Sequence, residues 1–75
     1  MIFETLYRFA KKYNCSFNYY EKEDFRTCGL IKDDNSLSYA KSSLYEGMMV
    51  NGERYEDFQQ ALLDFERRID NDNKL

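Results

Sequence analysis

Two segments with helical periodicity, one near each end of the chain, enclose a middle segment that alternates between apolar and polar residues. The first stripe consists of Ile2, Leu6, Phe9 and Tyr13. The last consists of Phe58, Ala61, Leu62, Phe65 and Ile69. Because the two periodicities switch at plausible turn and cap residues, the order predicts an α+β fold: an N-terminal helix, a three- or four-stranded antiparallel meander, and a C-terminal helix packed on one sheet face.

Both predicted helices have end signals. Asn14 follows the first stripe, and Asn tolerates the left-handed backbone that ends many helices. Asp57 precedes the second stripe, where its carboxylate can cap the backbone of Gln60 and the Gln60 side chain can return the bond as a capping box. The sequence thus predicts helices that end near Asn14 and begin just after Asp57.

The segments CSFNYY and FRTCGLI both alternate, and the acidic EKED between them predicts a hairpin with a four-residue loop. The opposing pairs in that register are Tyr20–Phe25, Phe17–Cys28 and Cys15–Leu30. It places Cys15 and Cys28 diagonally, with Cα atoms about 7 to 8 Å apart, which is beyond easy disulfide reach. Both cysteines are therefore predicted to be free thiols.

The segment SLSYA predicts a third strand after a turn at Asp33-Asp34. That turn sets Leu37 opposite Leu30 and Tyr39 opposite Cys28, so the same sheet face stays apolar. The side chains expected to be mostly buried are Leu6, Phe9, Phe17, Leu30, Tyr39, Leu62 and Phe65.

Residues 44–50, LYEGMMV, are compatible with either a short fourth strand or a loop over the core, with Gly47 marking a bend or bulge. Asn51-Gly52 suits a type I′ turn, whose two central residues need positive φ. Residues 48–50 would run into this turn and residues 53–55 out of it.

The chain has 75 residues, which predicts a single domain over residues 1–75 with a frayed tail at 70–75. Seven Tyr and six Phe supply large side chains for a small core. No stretch approaches the ~20 apolar residues of a membrane span, and the first residues lack the pattern of a signal peptide. These features predict a cytoplasmic protein with reduced cysteines.

The sequence offers little material for catalysis or for metal binding. It has no His, and its paired acids lie in predicted turns or in the tail, where water solvates the carboxylates. The two cysteines fit neither a zinc site nor a redox pair. We therefore expect no enzymatic activity, no cofactor and no metal.

Aromatic side chains point to protein binding instead. Tyr7, Tyr20, Phe25, Tyr45 and Met48 do not all fit one core face, and such residues are enriched at interfaces. Acids from the turns and from the start of the last helix would complete the surface, with the Asp33-Asp34 turn favoured. The predicted protein-binding residues are Tyr20, Phe25, Asp33, Asp34, Tyr45, Glu53, Glu56 and Asp57.

Charge suggests the kind of partner. Eleven basic and fourteen acidic residues give a net charge of −3, which disfavours general binding to nucleic acid and favours a protein with a basic surface. A homodimer is a further alternative. So is a small nucleic-acid-binding module that uses Arg8, Lys11 and Lys12 of the first helix together with stacking tyrosines of the sheet.

In size, acidity, lack of His and Pro, and the ending VNGERYEDFQQAL, the chain resembles small acidic proteins of phages and other mobile elements. Some proteins of that type inhibit host nucleases, CRISPR effectors or transcription by occupying a basic nucleic-acid-binding surface. The resemblance implies an inhibitor of such a host protein. It is one of overall style and transfers no functional residue.

Overall fold

The structure, a computed structural model, describes residues 2–73 and the side chains of residues 2–70. One helix precedes and one helix follows an antiparallel sheet in the chain, and the five strands are neighbours in the sheet in the same order as in the sequence. The elements are α1 (Ile2–Tyr13), β1 (Ser16–Lys22), β2 (Phe25–Lys32), β3 (Asn35–Lys41), β4 (Glu46–Val50), β5 (Glu53–Tyr55) and α2 (Phe58–Asn73). The predicted α+β meander is confirmed, and residues 53–55 add a short fifth strand.

Both helices lie on the same side of the sheet and bury its apolar face. Helix α1 contacts β1 and β2, whereas α2 contacts β3, β4 and β5. The rings of Phe9 and Phe65 meet with centroids 5.8 Å apart, which places the helices side by side. The buried core consists of Leu6, Ala10, Cys28, Leu30, Leu37, Tyr39, Met48, Val50, Ala61, Phe65 and Ile69.

Most of the predicted core is confirmed. Leu6, Leu30, Tyr39 and Phe65 are buried. The other three predicted side chains, those of Phe9, Phe17 and Leu62, are partly buried and pack against the core. For Phe17 the reason is its position on β1, an edge strand with a neighbour on one side only.

The predicted register of the first hairpin is wrong by two residues. Phe17 pairs with Leu30 and Tyr19 with Cys28, because the turn contains only Glu23 and Asp24 rather than the four residues EKED. The shorter turn lengthens the ladder by the Glu21–Arg26 and Lys22–Phe25 pairs, the first of which places opposite charges across the strands. A two-residue shift keeps every side chain on its face, so Phe17, Cys28 and Leu30 share the apolar face as predicted. The prediction that Tyr20 and Phe25 belong to the same face is wrong, because strict alternation places them on the opposite one.

The later registers agree with the prediction. Cys28 pairs with Tyr39 and Leu30 with Leu37 across the Asp33-Asp34 turn. Residues 46–50 form strand β4, which settles the choice between strand and loop.

Asn51 and Gly52 have φ angles of 51° and 83°, as the type I′ prediction requires. The Asn51 side chain also accepts from the Ser36 amide at 2.8 Å and donates to Asn35 Oδ1 at 3.0 Å. The β4–β5 turn is thereby joined to the start of β3.

The helix ends form largely as predicted. Asn14 is left-handed at φ 59°, and the Cys15 amide donates to the Ala10 carbonyl at 2.8 Å. Asp57 Oδ1 accepts from the amides of Gln59 and Gln60 at 2.9 and 3.3 Å. The Gln60 side chain donates to Asp64 instead of returning to the cap. Helix α2 continues to Asn73; most of the predicted frayed tail, residues 70–75, lies outside the residues whose side chains are described.

Both cysteines are free, as predicted. Their predicted diagonal arrangement is wrong, because the two-residue shift removes Cys15 from its place opposite Leu30. Cys15 instead precedes β1. Burial raises the pKa of its thiol, and the nearby Lys32 ammonium offsets this only in part.

Hydrogen bonds from tyrosines to carboxylates attach α2 to its surroundings. The Tyr13 hydroxyl of α1 donates to Glu66 Oε2, and the Tyr55 hydroxyl of β5 donates to Asp64 Oδ2 at 2.7 Å.

Within the sheet, the Tyr39 hydroxyl donates to Glu46. Burial, and then Glu46, raise the pKa of Tyr39, so its hydroxyl stays protonated and keeps this bond.

Replacing Phe65 by Ala should destabilise the fold strongly, because its ring is fully buried between the helices and the sheet. We expect the free energy of unfolding to fall by about 3–5 kcal/mol, as measured by urea denaturation. Leu63→Ala, on the exposed side of the same helix, should change it by less than about 0.5 kcal/mol. Equal denaturation midpoints for the two variants would show that the stripe of α2 is misassigned.

Tyr55→Phe should flatten the dependence of stability on acidic pH. The hydrogen bond from Tyr55 is the largest cause that holds the pKa of Asp64 below its ordinary value. A lowered folded-state pKa stabilises the protein above the ordinary pKa of about 4, and this stability is lost as pH falls through the lowered value.

Urea unfolding over a pH series from neutral into acid measures this effect. The stability of Tyr55→Phe should decline less steeply in acid than that of the wild type, whereas Tyr20→Phe, on the other side of the sheet, should follow the wild type. Superimposable curves for Tyr55→Phe and the wild type would contradict the assignment.

Candidate functional site

The side of the sheet opposite the helices, here called the open face, is covered by no helix of the described chain. Every second residue of each strand points to this face. Tyr20, Thr27, Ala40 and Gly47 are examples, since each is paired with the next across neighbouring strands. Sheets in soluble proteins commonly fill such a face with polar residues. This one carries several large apolar side chains.

Five large apolar side chains lie on the open face, and each is between 40% and 54% exposed. They are Tyr20, Phe25, Ile31, Tyr45 and Met49. Small residues of β2 and β3 separate them in the middle of the sheet, where Thr27 pairs with Ala40 and Gly29 with Ser38. The open face therefore has a shallow centre between two groups of larger side chains.

Tyr45 lies flat against this face because Gly47 leaves room for it. A Cβ atom at Gly47 would come within 2.7 Å of Tyr45 Cζ and still closer to its hydroxyl. The Arg54 guanidinium lies 5.3 Å from the centre of the Tyr45 ring, a cation–π distance. Tyr45 is thus held between strands β4 and β5 before any partner binds.

The loop before Tyr45 is fixed by Asp24 of the first turn. Asp24 Oδ2 accepts from the amide and the hydroxyl of Ser43 at 2.9 and 2.5 Å, and these bonds lower the pKa of Asp24. The Ser42 amide donates to the Tyr45 carbonyl at 2.7 Å. Leu44, at the tip of this loop, is 96% exposed.

The structure brings together the three predicted aromatic site residues, since Tyr20, Phe25 and Tyr45 all lie on the open face. The predicted acids are distributed around it. Asp33 and Asp34 form a turn at one end of the sheet, and the Glu23–Asp24 turn lies at the other end.

The remaining predicted acids lie at the β5 side of the molecule. Glu53 is 3.8 Å from Arg68 of α2, and Glu56 lies beside the cleft between β5 and the helix starts. Asp57 serves as the cap of α2, so its carboxylate already accepts backbone hydrogen bonds.

The basic residues of the nucleic-acid alternative lie on the other side of the sheet. Arg8 pairs with Glu4 at 3.0 Å, and the ammonium groups of Lys11 and Lys12 lie over the rings of Tyr7 and Tyr13. Tyr20 faces away from α1. These cations therefore lie on a different surface from Tyr20 and Tyr45, whereas Tyr19 is an exposed sheet tyrosine on the same side as α1.

The thiol of Cys28 is buried in the core. Burial raises the pKa of the Cys28 thiol to about 11, which disfavours the reactive thiolate. Nearby, the Arg26 guanidinium stacks 4.8 Å from the Phe3 ring. Within residues 2–73, no group of three or more potential metal ligands is found. None of the helices described is both long and apolar enough to cross a membrane.

Sequence reasoning missed several residues of the open face, namely Ile31, Met49, Lys22 and Arg54. The strict alternation of strand residues could have predicted the positions of Ile31 and Met49. Leu30 and Met48 face the core, so their neighbours Ile31 and Met49 must face the other way. Lys22 and Arg54 could not be placed without the two-residue first turn and the presence of β5.

Comparisons with protein-family models, with curated proteins and with solved structures find no match to this chain.

Gly47→Ala should displace Tyr45 from the open face, because the new methyl group would occupy the space of the ring. Loss of the contact with Arg54 should reduce stability by about 0.5–1 kcal/mol. NMR should show the Arg54 side-chain protons moving away from ring-shielded positions. Tyr45→Ala should produce the same shifts, and unchanged Arg54 shifts in Gly47→Ala would contradict the placement.

Proposed function

We propose that this chain is a non-catalytic protein-binding module that docks another protein on its open face. The observation that carries the proposal is the group of five exposed, large apolar side chains on a sheet face that the helices leave uncovered. Large apolar side chains that are exposed together on one face are typical of interaction sites in soluble proteins. The module is proposed to act in the cytoplasm, where its two free thiols would stay reduced.

The arrangement of side chains supports binding of a folded protein. Protein interfaces place aromatic residues and Met at a desolvated centre and polar residues at the rim. Here Tyr20 on one side and Tyr45 and Met49 on the other border the shallow centre of the open face, and the acidic turns at residues 23–24 and 33–34 lie at its two ends. The proposed partner has an apolar centre and a basic periphery.

Tyr45 is the proposed anchor of the interface. Gly47 and Arg54 hold its ring in place, so less side-chain freedom is lost on binding. Tyr is among the residues that most often dominate binding energy. Leu44 extends from the same fixed loop and can enter an apolar pocket of the partner.

The proposed class of partner is a nucleic-acid-processing protein of a host, such as a nuclease, a CRISPR effector or a transcription component. Support comes from the chain's resemblance in size and acidity to inhibitors from phages and mobile elements. The basic surface of such a protein would complement the acidic turns.

Single-stranded nucleic acid is the second candidate ligand, and one observation favours it. Among the strand residues of the open face, the charged ones are Lys22 and Arg54, which are both basic and lie near exposed tyrosines. Aromatic rings beside cations can stack bases and hold phosphates. The net charge of −3 and the acidic turns make protein the better-supported ligand.

Site-specific photo-crosslinking in the cells of origin tests the proposal. A crosslinking residue at Ile31, on the open face, should capture one defined protein, and the same residue at Leu63, exposed on α2, should not. With the captured protein purified, Tyr45→Ala should weaken binding by about 2 kcal/mol, or roughly 30-fold, mainly through faster dissociation.

Charge reversal and salt titration complete the test. Reversing Asp33 and Asp34 together should slow association and reduce its salt dependence if the partner is basic. The proposal is wrong if Leu63 captures the same protein or if Tyr45→Ala leaves affinity unchanged. Tight binding of single-stranded RNA or DNA that weakens steeply with salt would instead establish the second candidate.

A further inference from the structure

The two edges of the sheet differ in length and regularity. Strand β5 has three residues and is contacted by α2. Strand β1 has seven residues, pairs without interruption with β2 on one side, and contains no positive-φ residue over 16–22. The chain also has no Pro. A long regular edge strand is a template for pairing with another strand.

The first turn determines which backbone groups of β1 point outward. In a two-residue hairpin the residues flanking the turn, here Lys22 and Phe25, form a hydrogen-bonded pair. Hydrogen-bonded and non-bonded pairs alternate along an antiparallel ladder. The outward N–H and C=O groups therefore belong to Phe17, Tyr19 and Glu21.

Exposed tyrosines flank this edge on both sides of the sheet. Tyr7 and Tyr19 are 45% and 43% exposed on the helix side, and Tyr20 is 54% exposed on the open face. A strand added to β1 would cover parts of all three rings. Such rings supply large contact areas at interfaces.

We propose that β1 pairs with β1 of a second copy of this chain in an antiparallel ladder, with Tyr19 opposite Tyr19 on a two-fold axis. In this register Phe17 lies opposite Glu21 of the second copy, and the reverse pair forms by symmetry. Each of these pairs is of the bonded type and exchanges two hydrogen bonds. All three outward-pointing residues thereby acquire partners, whereas a shift along the strand leaves some of them unpaired.

Charge complementarity identifies a second copy as the occupant. Glu21 would lie opposite Phe17, whose ring contacts Tyr7, over which the Lys11 ammonium lies. Beyond Glu21, the acidic Glu23–Asp24 turn would lie near the start of β1 of the second copy. There the Lys32 ammonium donates to the Tyr13 carbonyl. Acids of each copy therefore face lysines of the other, and the symmetry repeats the match.

The helices also fit this arrangement. Helix α1 contacts β1 and β2, so it lies over this edge of the sheet. In a dimer the two α1 helices would therefore lie on the same side of the continuous sheet, one on each side of the two-fold axis. The dimer would have one continuous sheet with both open faces on the same side.

Sedimentation of the purified full chain over a concentration series tests the dimer. The measured mass should rise to twice the 9.1 kDa of the chain. Tyr19→Lys places two like charges opposite each other at the axis and should abolish the rise, whereas Leu63→Lys should not. A wild type that stays monomeric throughout, or a Tyr19→Lys variant that still dimerises, would overturn the proposal.

Cysteine crosslinking tests the register and does not depend on how Tyr19→Lys folds. In a Cys15→Ser background, Tyr19→Cys should form an intermolecular disulfide, because its two Cα atoms would lie about 5.5 Å apart, within disulfide reach. Glu21→Cys should not, since its two positions would be about 14 Å apart along the strands. Crosslinking of Glu21→Cys, or none of Tyr19→Cys, would refute this register.

Discussion

Burial of one sheet face by both helices is the constraint on which the rest of this structure depends. Phe65 is fully buried at the centre of the layer, where its ring meets Phe9 of the other helix. A chain of 75 residues can build only a small core. The large side chains of α1, of α2 and of the inner sheet positions therefore pack together in this single layer. Among the residues that the structure describes, no helix covers the opposite face of the sheet.

That one-sided construction accounts for the position of the candidate site. Strand side chains alternate between the two faces, so every core residue has neighbours that must face outward. In this protein the outward-facing residues include Tyr20, Ile31 and Met49, at positions where soluble proteins more often have polar residues. The surface proposed to bind a partner is thus a direct consequence of where the helices pack.

Several of these features could be predicted because they depend on neighbours in sequence. The Asn51–Gly52 turn, the Asp57 cap and the left-handed Asn14 follow from local backbone preferences. The β2–β3 register was predictable as well, since the Asp33–Asp34 turn and the apolar pattern agree. In the first hairpin the pattern allowed two turn lengths, because a shift of two residues leaves the same side chains on each face.

The sequence by itself determined the fold class, the helix ends, the later turns and the core-facing residues of β2 and β3, because these depend on periodicity and local conformation. Only the tertiary structure decided the length of the first turn, the contact of Asp24 with Ser43, and the meeting of Tyr20, Phe25 and Tyr45 on one surface. It also separated Arg8, Lys11 and Lys12 from that surface. Such outcomes depend on contacts between residues far apart in the chain, which the folded sheet brings together and which no local pattern contains.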